Sequence, residues 1–444
     1  MPLAFCGLPP ELIERILLFC HPRDVITFSW TCRSAYQLAY QGNDQYLWRE
    51  LFLSRPFDDL RKAVPPLIPN KPLAQHDWRG ELQRRVEAEI VVGREEPAGD
   101  PRLPRALGTL VSVVETALAI SDGPDSDTSD NLRWLDPLLN KLTKLDANSV
   151  TVPERKLLAR LMTYVALSYE RSSDDSLGDE ATKKRLRELR KHSRCYVYDL
   201  RRYKPETYYG PYTPGANGEI VANWEHVMHV VNVVALKLWE LPMLALRLYC
   251  KPPAGLSSTQ AYSAPFSHDR KQYDWAGVEG TWRRFVCFMD YRDLFEFNYH
   301  FQGNRSPEYF DDDYQEAIRP VELRLEVIDP QLTTGSSASS PLFPLVNPNY
   351  PPLFFKGVSS AAHNGDAAVE GHVRLLADGA IRWFFVTKYD GVTQWSAEGV
   401  QIGNVCSAAG VAGIWTGAFH EEADPAGPFW MWKVPGSLPE GFRI

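Results

Sequence analysis

Cysteine is scarce in this sequence, and its spacing argues against two kinds of cross-linked structure. The 444 residues contain seven widely scattered cysteines, and no pair has the Cys-x-x-Cys spacing. A structural zinc site or the disulfide framework of a small secreted domain needs closely and regularly spaced cysteines. We therefore expect reduced, mostly buried thiols and a cytoplasmic or nuclear protein.

The sequence also has few positive charges relative to negative ones and no long uninterrupted apolar run. Lys and Arg number 48 against 56 Asp and Glu, which gives a net charge of −8. Phosphate-rich partners such as nucleic acid or anionic membranes need a cationic surplus. The most apolar stretch, residues 230–250, contains Lys237, Glu240, Pro242 and Arg247, which is too polar for a membrane span. We predict neither a nucleic-acid nor a membrane partner.

The common catalytic motifs are missing as well. The sequence has no Gly-x-x-x-x-Gly-Lys phosphate loop, no Gly-x-Ser-x-Gly elbow and no Gly-x-Gly-x-x-Gly fingerprint. His226 and His229 have a spacing compatible with two metal ligands on a helix, but no His-Glu-x-x-His pattern surrounds them, so a structural pair is favoured. We predict no catalytic residue, no metal and no cofactor, and therefore a protein that is not an enzyme.

Four regions of the chain differ in their residue patterns. The first carries closely spaced helical signals, the second is broken by prolines, the third has helical periodicity, and the fourth has short aromatic segments typical of strands. We place the boundaries at residues 5–54, 55–104, 105–250 and 258–444.

The fourth region carries the clearest strand signals. Residues 321–328 alternate apolar and charged side chains with a period of two, as in a half-buried strand. Asp378-Gly379 separates two apolar segments, residues 373–376 and 381–386, which indicates a hairpin. Several such strands favour a closed antiparallel barrel or sandwich. The predicted fold class is thus α+β and multidomain: N-terminal helices, a helical middle region and a C-terminal barrel-like domain.

An ordered series of short apolar motifs occupies the first fifty residues. The motifs are Leu8-Pro-Pro-Glu-Leu12, Ile16-Leu17, Pro22-Arg-Asp-Val25, Thr31-Cys-Arg33-Ser-Ala35 and Tyr46-Leu-Trp48-Arg-Glu-Leu51-Phe. Together they resemble the F-box family, although Asp24-Val25 stands where that family more often has leucine. The resemblance implies a three-helix module that binds a Skp-type adaptor and, through it, a cullin. The adaptor contacts that it implies are Leu8, Pro9, Leu12, Ile16, Leu17, Pro22, Val25 and Trp48.

Residues 391–434 resemble the end of the barrel-type substrate domain of some F-box proteins. The matching segments are Gln394-Trp-Ser-Ala-Glu398-Gly-Val-Gln401-Ile-Gly403, Gly413-Ile-Trp415-Thr-Gly and Asp424-Pro-Ala-Gly427-Pro-Phe-Trp430. Gly280-Thr-Trp282 also resembles the Gly-x-Trp opening of lipocalin-like barrels, where the tryptophan closes one end. Trp395, Glu398 and Gln401 are candidate substrate contacts, since an indole beside a carboxylate and an amide suits a peptide. Alternatively, Trp395 packs inward and the other two cap a turn.

These resemblances imply the substrate-recognition subunit of an SCF (Skp–cullin–F-box) ubiquitin ligase, in which the C-terminal domain binds an unidentified target protein. The alternative is an F-box protein whose barrel binds a small apolar ligand as a sensor or carrier. A polar or fully packed barrel interior would count against that alternative.

Overall fold

A computed structural model describes residues 7–42, 45–68, 76–121, 129–170, 179–242, 252–300, 305–311, 314, 316–329, 345–361 and 364–436. The chain divides into two compact units. The first comprises residues 1–64, 71–118 and 128–154, and the second comprises residues 65–70, 119–127 and 155–444. The domain boundaries expected from the sequence stay predictions.

Among the described residues, ten α-helices lie before residue 240 and one lies after it. They are α1 Pro10–Leu17, α2 Pro22–Ser29, α3 Arg33–Tyr40, α4 Tyr46–Leu53, α5 Trp78–Val92, α6 Leu103–Glu115, α7 Asp130–Leu142, α8 Val152–Val165, α9 Glu180–Val197, α10 Trp224–Leu238 and α11 Tyr291–Phe295. The helical middle region expected from the sequence is confirmed. No helix in the described residues is long and apolar enough to cross a membrane.

The N-terminal helices begin at residues whose chemistry suits a helix start. Pro10 and Pro22 each occupy the first helical position, where a missing N–H removes no helical hydrogen bond. Cys32 begins α3 differently, because its sulfur accepts the Ala35 N–H at 3.4 Å. Local sequence therefore sets where these short helices begin.

Where the implied three-helix module needs one helix after Thr31-Cys-Arg33, the structure contains two. Helix α3 ends at Tyr40, and Gln45 adopts a left-handed conformation with φ of 50° just before α4. A left-handed residue cannot continue a right-handed helix. The region therefore contains four helices of eight residues each instead of three.

Large apolar side chains from several helices form the core of the first unit. The indole N–H of Trp48 donates to the Ala39 carbonyl oxygen at 2.6 Å, so this buried polar group is satisfied. The buried members of the core are Leu17, Val25, Leu47, Trp48, Leu51, Phe52, Phe57, Trp78, Leu82 and Val86. Helices α1 to α5 are held together by this cluster.

Asp58 is a buried hydrogen-bond hub in the first unit. Its carboxylate accepts the Ser129 hydroxyl at 2.6 Å, the Asp130 N–H at 2.7 Å and the Leu118 N–H at 2.9 Å. Ser129 and Asp130 lie at the start of α7, and Leu118 lies three residues after the end of α6. Asp58 therefore joins three parts of the chain that lie far apart in sequence.

Replacing Asp58 with alanine is expected to destabilise the first unit by about 2–4 kcal/mol, because the buried Ser129 hydroxyl and two partly buried backbone N–H groups would lose their acceptor. Thermal and urea unfolding of the whole chain measure the loss. Asp59→Ala is the matched control: Asp59 pairs with Arg61, whose side chain is 57% exposed, so the expected loss stays below about 1 kcal/mol. Equal losses for the two variants would contradict the role of Asp58 as a hub.

The second unit contains a closed antiparallel barrel. Its strands are β3 Gly280–Phe288, β4 Ala317–Val327, β5 Leu353–Ala361, β6 Asn364–Leu375, β7 Ile381–Tyr389, β8 Val392–Gln401, β9 Val411–Gly417 and β10 Ala426–Lys433. Each strand pairs with its neighbour in sequence, and β10 pairs with β3 to close the barrel. A separate two-stranded sheet consists of β1 Tyr212–Pro214 and β2 Ile220–Ala222. The barrel expected from the sequence is confirmed.

The predicted hairpin forms the β6–β7 connection. Gly379 has φ of 81°, a conformation that glycine adopts at little cost, and Leu375 pairs with Ile381 across the turn. The alternating segment at residues 321–328 lies largely within β4. Both local signals therefore correspond to observed strands.

Contacts between strands that are not neighbours identify the side chains inside the barrel. Trp282 on β3 meets Trp383 on β7 edge to face at 5.0 Å between ring centroids. Phe385 on β7 approaches Phe429 on β10 at 6.1 Å, and Phe355 on β5 lies 5.8 Å from Trp383. These aromatic rings cross the interior, so the end of the barrel at Trp282 is filled by side chains. The predicted end-closing position of Trp282 agrees with this packing.

Glycines at inward positions make room for these rings. A Cβ on Gly371 would lie 2.6 Å from the Phe355 ring, and one on Gly399 would lie 2.7 Å from Val411 Cγ1. Such distances are too short for real atoms, so only glycine is accommodated without a shift of the neighbouring side chains. Gly371 and Gly399 thus belong to the interior packing of the barrel.

Helices α9 and α10 pack together in the second unit, and α10 also contacts β9 and β10. His226 and His229, the pair noted in the sequence, lie on α10. The His229 ring is within hydrogen-bond distance of the Ser193 hydroxyl at 3.0 Å and stacks on Tyr196. Burial lowers the pKa of His229 to about 3, so this imidazole is neutral at physiological pH.

Candidate functional site

Four of the eight side chains predicted to contact an adaptor are exposed. Leu8 is 39%, Leu12 52% and Ile16 43% exposed, and Pro9 is also exposed. Leu12 and Ile16 lie four residues apart on α1, so they share one side of that helix. We call Leu8, Pro9, Leu12 and Ile16 the α1 face. It presents apolar surface that this short helix cannot bury by itself.

The other four predicted contacts are buried in the first unit. Leu17 is 4%, Trp48 2% and Val25 0% exposed, and Pro22 is also buried. In this conformation they offer almost no side-chain surface to a partner. Leu17, Val25 and Trp48 belong to the core cluster, so they hold α1, α2 and α4 in place.

Two large exposed aromatic side chains were not singled out as contacts by the sequence. Phe19 is 85% exposed just after the end of α1, and Trp30 is 75% exposed at the C-cap of α2. Large aromatic side chains usually bury most of their surface, and exposed ones often mark binding surfaces. The sequence offered one signal of their exposure. Both residues lie next to a helix end, where an apolar side chain need not face the core.

His21 begins α2 through its side chain. The ring Nδ1 accepts the Arg23 N–H at 3.2 Å, which satisfies a donor in the first turn of the helix. Burial lowers the pKa of His21, and the positive charges of Arg55 and Arg23 add to this effect. Both influences favour the neutral ring, which is the form that can accept this hydrogen bond.

A comparison with protein families finds one match in this part of the chain. Residues 5–54 match the model of the F-box-like family. The chain therefore contains an F-box-like domain, built from α1 to α4, alongside its C-terminal barrel. The match indicates no catalytic family. A search of curated proteins finds no match to the chain, and a search of solved structures finds none either.

In the barrel, Trp395 is the most accessible of the three predicted substrate contacts. It lies on β8 opposite Thr387, is 36% exposed, and meets Trp415 edge to face at 5.3 Å. The register places Trp395 and Trp415 on the inward side, and Trp395 stands near the end of the barrel away from Trp282. Its indole is thus available to a ligand at that end.

Glu398 lies on the opposite side of β8 and is 4% exposed. Its carboxylate accepts two hydrogen bonds from the Arg382 guanidinium, which also lies over the Tyr208 and Tyr212 rings at 4.3 and 5.4 Å. Burial alone would lower the pKa of Arg382, but the Glu398 carboxylate outweighs it and raises that pKa well above its usual value. This carboxylate is occupied by an internal ion pair.

Gln401 is also buried, with 3% exposure. Its side-chain oxygen accepts the Trp383 indole N–H at 3.1 Å, and its amide donates to the Asn404 carbonyl oxygen at 2.8 Å. Glu398 points to the opposite side of β8 from Trp395 and Gln401, and those two lie six residues, or about 20 Å, apart along the strand, so the three side chains do not form one surface. Of the three, only Trp395 offers substantial surface to a ligand.

The interior packing bears on the alternative of a small apolar ligand. Trp282, Phe355 and Trp383 are each at most 3% exposed and fill the end of the barrel that Trp282 closes. A deep cavity for a large apolar molecule would need that space. The filled interior at this end therefore counts against the alternative.

Among the described residues there is no group of three or more His, Cys, Asp or Glu side chains placed to hold a metal ion. His226 and His229 instead contact the neighbouring tyrosines Tyr196 and Tyr203. Their position in the core of α9 and α10 agrees with a structural role.

Proposed function

We propose that this chain is the substrate-recognition subunit of an SCF ubiquitin ligase in the cytoplasm or nucleus. The F-box-like domain binds a Skp-type adaptor, which links the chain to a cullin, and the barrel binds a target protein. The chain itself performs no chemistry in this arrangement. It raises the effective concentration of target lysines near the ubiquitin-conjugating enzyme.

The observation that carries the proposal is the match of residues 5–54 to the F-box-like family, together with the exposed α1 face. Adaptor binding is the role that an F-box domain implies. Leu12 and Ile16 supply unburied apolar surface for it, and Phe19 adds a third exposed side chain nearby in sequence. Apolar surface of this kind contributes about 25 cal/mol per Å² when a partner covers it.

We assign different tasks to the eight predicted adaptor residues. Leu8, Pro9, Leu12 and Ile16 make contact with the adaptor. The buried residues Leu17, Pro22, Val25 and Trp48 support the helices that carry those contacts. This division follows from burial, since a side chain with almost no exposed surface cannot add to an interface without a change of conformation.

The direct test mixes the purified full chain with a purified Skp-type adaptor and follows complex formation by size-exclusion chromatography and calorimetry. A stoichiometric complex that also recruits a cullin is expected. A folded chain that fails to bind the adaptor would refute the proposal.

Target binding by the barrel is tested through Trp395. Replacing Trp395 with alanine is expected to weaken capture of target proteins by roughly 30-fold, since a tryptophan at the centre of an interface contributes about 2 kcal/mol or more. Adaptor binding should be unchanged. Quantitative mass spectrometry compares the proteins ubiquitinated by ligase complexes assembled with either chain.

Val392→Ala is the control for that comparison, because Val392 is 58% exposed on the same strand. It should leave target capture unchanged. Identical sets of modified proteins from the parent and the Trp395 variant would exclude Trp395 from target recognition.

A further inference from the structure

A cleft of about 390 Å³ opens outside the barrel of the second unit. One part of its lining is Thr416 on β9 together with residues 420–424 of the β9–β10 loop. Thr416 follows the inward-pointing Trp415, so it points away from the barrel interior. Another part consists of side chains between residues 200 and 209 and of Arg305. We call this space the charged cleft.

Arg305 is a buried cation in the lining of the charged cleft. Its side chain is 10% exposed, and one terminal nitrogen donates to the Asn298 carbonyl oxygen. Its Nε has no hydrogen-bond partner among the described residues, since the Asp199 carboxylate lies 3.6 Å away. A buried guanidinium is stable when its N–H groups find acceptors. Arg305 therefore still lacks one acceptor.

Positive charge exceeds negative charge around Asp199. Arg201 donates to the Asp199 carboxylate at 2.8 Å, and Arg202 lies 3.8 Å from it. Together with Arg305, three cations share this one carboxylate, and the exposed Lys204 adds another positive charge to the lining. Burial alone would raise the pKa of Asp199, but Arg201 and Arg202 lower it, so the carboxylate stays charged. This part of the cleft therefore has a surplus of positive charge.

The β9–β10 loop supplies the acidic part of the lining. Glu421 and Glu422 are exposed, and the Asp424 carboxylate accepts the Glu421 N–H at 3.0 Å. Among the described residues, no ion pair joins these three carboxylates to the cations of the cleft. Charges of opposite sign that line one small space usually pair with each other. Two unpaired sets instead suit a ligand that places an anion at Arg305 and no second anion beside the loop.

Tyr209 joins the basic and the acidic parts of the charged cleft. Its ring stacks on the His420 ring, with centroids 3.6 Å apart and planes within 4° of parallel. The Thr416 hydroxyl lies 3.2 Å from His420 Nδ1, which ties the loop to β9. Tyr209, His420 and Ala423 have left-handed φ values of 55°, 53° and 70°. Such conformations cost free energy and often cluster at binding sites. The cleft is thus held in shape before a ligand arrives.

An exposed row of aromatic rings leads into the charged cleft. Tyr291 is 54%, Phe295 40% and Tyr299 43% exposed, at intervals of four residues along α11 and the π-helical turn Glu296–His300. The Phe295 and Tyr299 rings are 4.7 Å apart, and Tyr299 also lines the cleft. Exposed aromatic surface of this kind often marks a binding site. Because the row continues beyond the cleft, it suits an extended chain better than a compact molecule.

We propose that the charged cleft binds an extended segment of the target protein, with an acidic side chain on Arg305 and a neighbouring apolar side chain on Tyr299. The guanidinium suits a carboxylate because its planar set of N–H donors matches the two oxygens. The acidic part of the cleft disfavours a second anion, so a basic or neutral residue is expected beside the acidic one. This proposal rests on the proposed function and names the class of target segment.

The test selects peptides from a displayed library of random ten-residue sequences on the purified full chain. Peptides with an acidic residue near an apolar one are expected to dominate. One selected peptide is then synthesised with its acidic residue and with the corresponding neutral amide, and calorimetry measures both. The acidic form should bind at least about tenfold more tightly, because only it forms charge-assisted hydrogen bonds with Arg305. A selection without acidic peptides, or equal affinities of the two forms, would overturn the proposal.

Two substitutions in the charged cleft should reduce this preference. Arg305→Met should remove it, and Lys204→Met, at an exposed position, should lower it without disturbing the fold. Arg324→Met is the matched control: Arg324 is 64% exposed on β4 and lies outside the lining of the cleft, so the preference should be unchanged. A preference that survives both cleft substitutions would refute the site. Should Arg305→Met fail to fold, Lys204→Met and the control still decide the matter.

Adaptor binding and the Trp395 comparison distinguish this proposal from the proposed function. If the chain binds the adaptor and Trp395→Ala changes the set of modified proteins, but no acidic peptide is preferred, the proposed function stands and the charged cleft is not the site. If acidic peptides bind through Arg305 but the folded chain binds no adaptor, the cleft is a peptide site and the ligase role is refuted.

Discussion

Replacing Leu12 and Ile16 together with aspartate is expected to abolish binding of the chain to a Skp-type adaptor. Both side chains are exposed on the α1 face, at 52% and 43%. Each large apolar side chain covered at an interface contributes about 1.5–3 kcal/mol, and two introduced carboxylates would also have to lose water there. A loss of about 3–6 kcal/mol lowers affinity by roughly 10²- to 10⁴-fold. Calorimetry and a pull-down with purified adaptor measure this change.

The double variant should stay folded, because neither side chain belongs to the buried part of the core cluster. Val152→Asp is the control: Val152 is 59% exposed in the same compact unit but lies outside residues 5–54. It introduces the same chemistry and should leave adaptor binding unchanged. A folded double variant that binds within about threefold of the parent would exclude the α1 face as the docking surface.

The N-terminal domain could be predicted because its signals are local. The prolines at the starts of α1 and α2, and the apolar spacing of Leu12 and Ile16, lie within a few residues of one another. The burial of individual apolar side chains could not be predicted from such local signals. Trp48 donates a hydrogen bond to Ala39 and is buried by several helices. Trp30 is exposed, although it also belongs to a helical segment.

The barrel shows the same division between local and distant information. The Asp378-Gly379 turn and the alternation in β4 were readable because their pairing is set within a few residues. The closure of β10 on β3 joins segments about 150 residues apart, which no local pattern encodes. The charged cleft is equally hidden from local patterns, since its lining comes from segments that lie far apart in the chain.

The candidate substrate trio illustrates a rule that the sequence could have supplied. Trp395 and Glu398 are three residues apart on a strand, so a period of two places them on opposite sides of the barrel wall. Their chemistry alone suggested a common site, since an indole beside a carboxylate and an amide suits a peptide. The partner of Glu398, in contrast, could not be inferred, because Arg382 lies on another strand and the register of β7 and β8 decides their meeting.

Replacing Glu398 with alanine is expected to destabilise the second unit by about 3–5 kcal/mol. The Arg382 and Glu398 side chains are only 6% and 5% exposed, and removal of one partner leaves a buried charge without compensation. Arg374 adds to the cost, since its positive charge acts on Arg382. Urea and thermal unfolding of the full chain, followed by tryptophan fluorescence, measure the change.

Replacing both partners with leucine separates the ion pair from the packing around it. The double variant Arg382→Leu/Glu398→Leu should recover much of the stability that Glu398→Ala loses, because it removes the uncompensated charge. Glu370→Ala is the surface control: it breaks a pair with Lys388, is 56% exposed, and should cost less than about 1 kcal/mol. A cost of Glu398→Ala no larger than that of Glu370→Ala would show that Glu398 is not held by its pairing with Arg382.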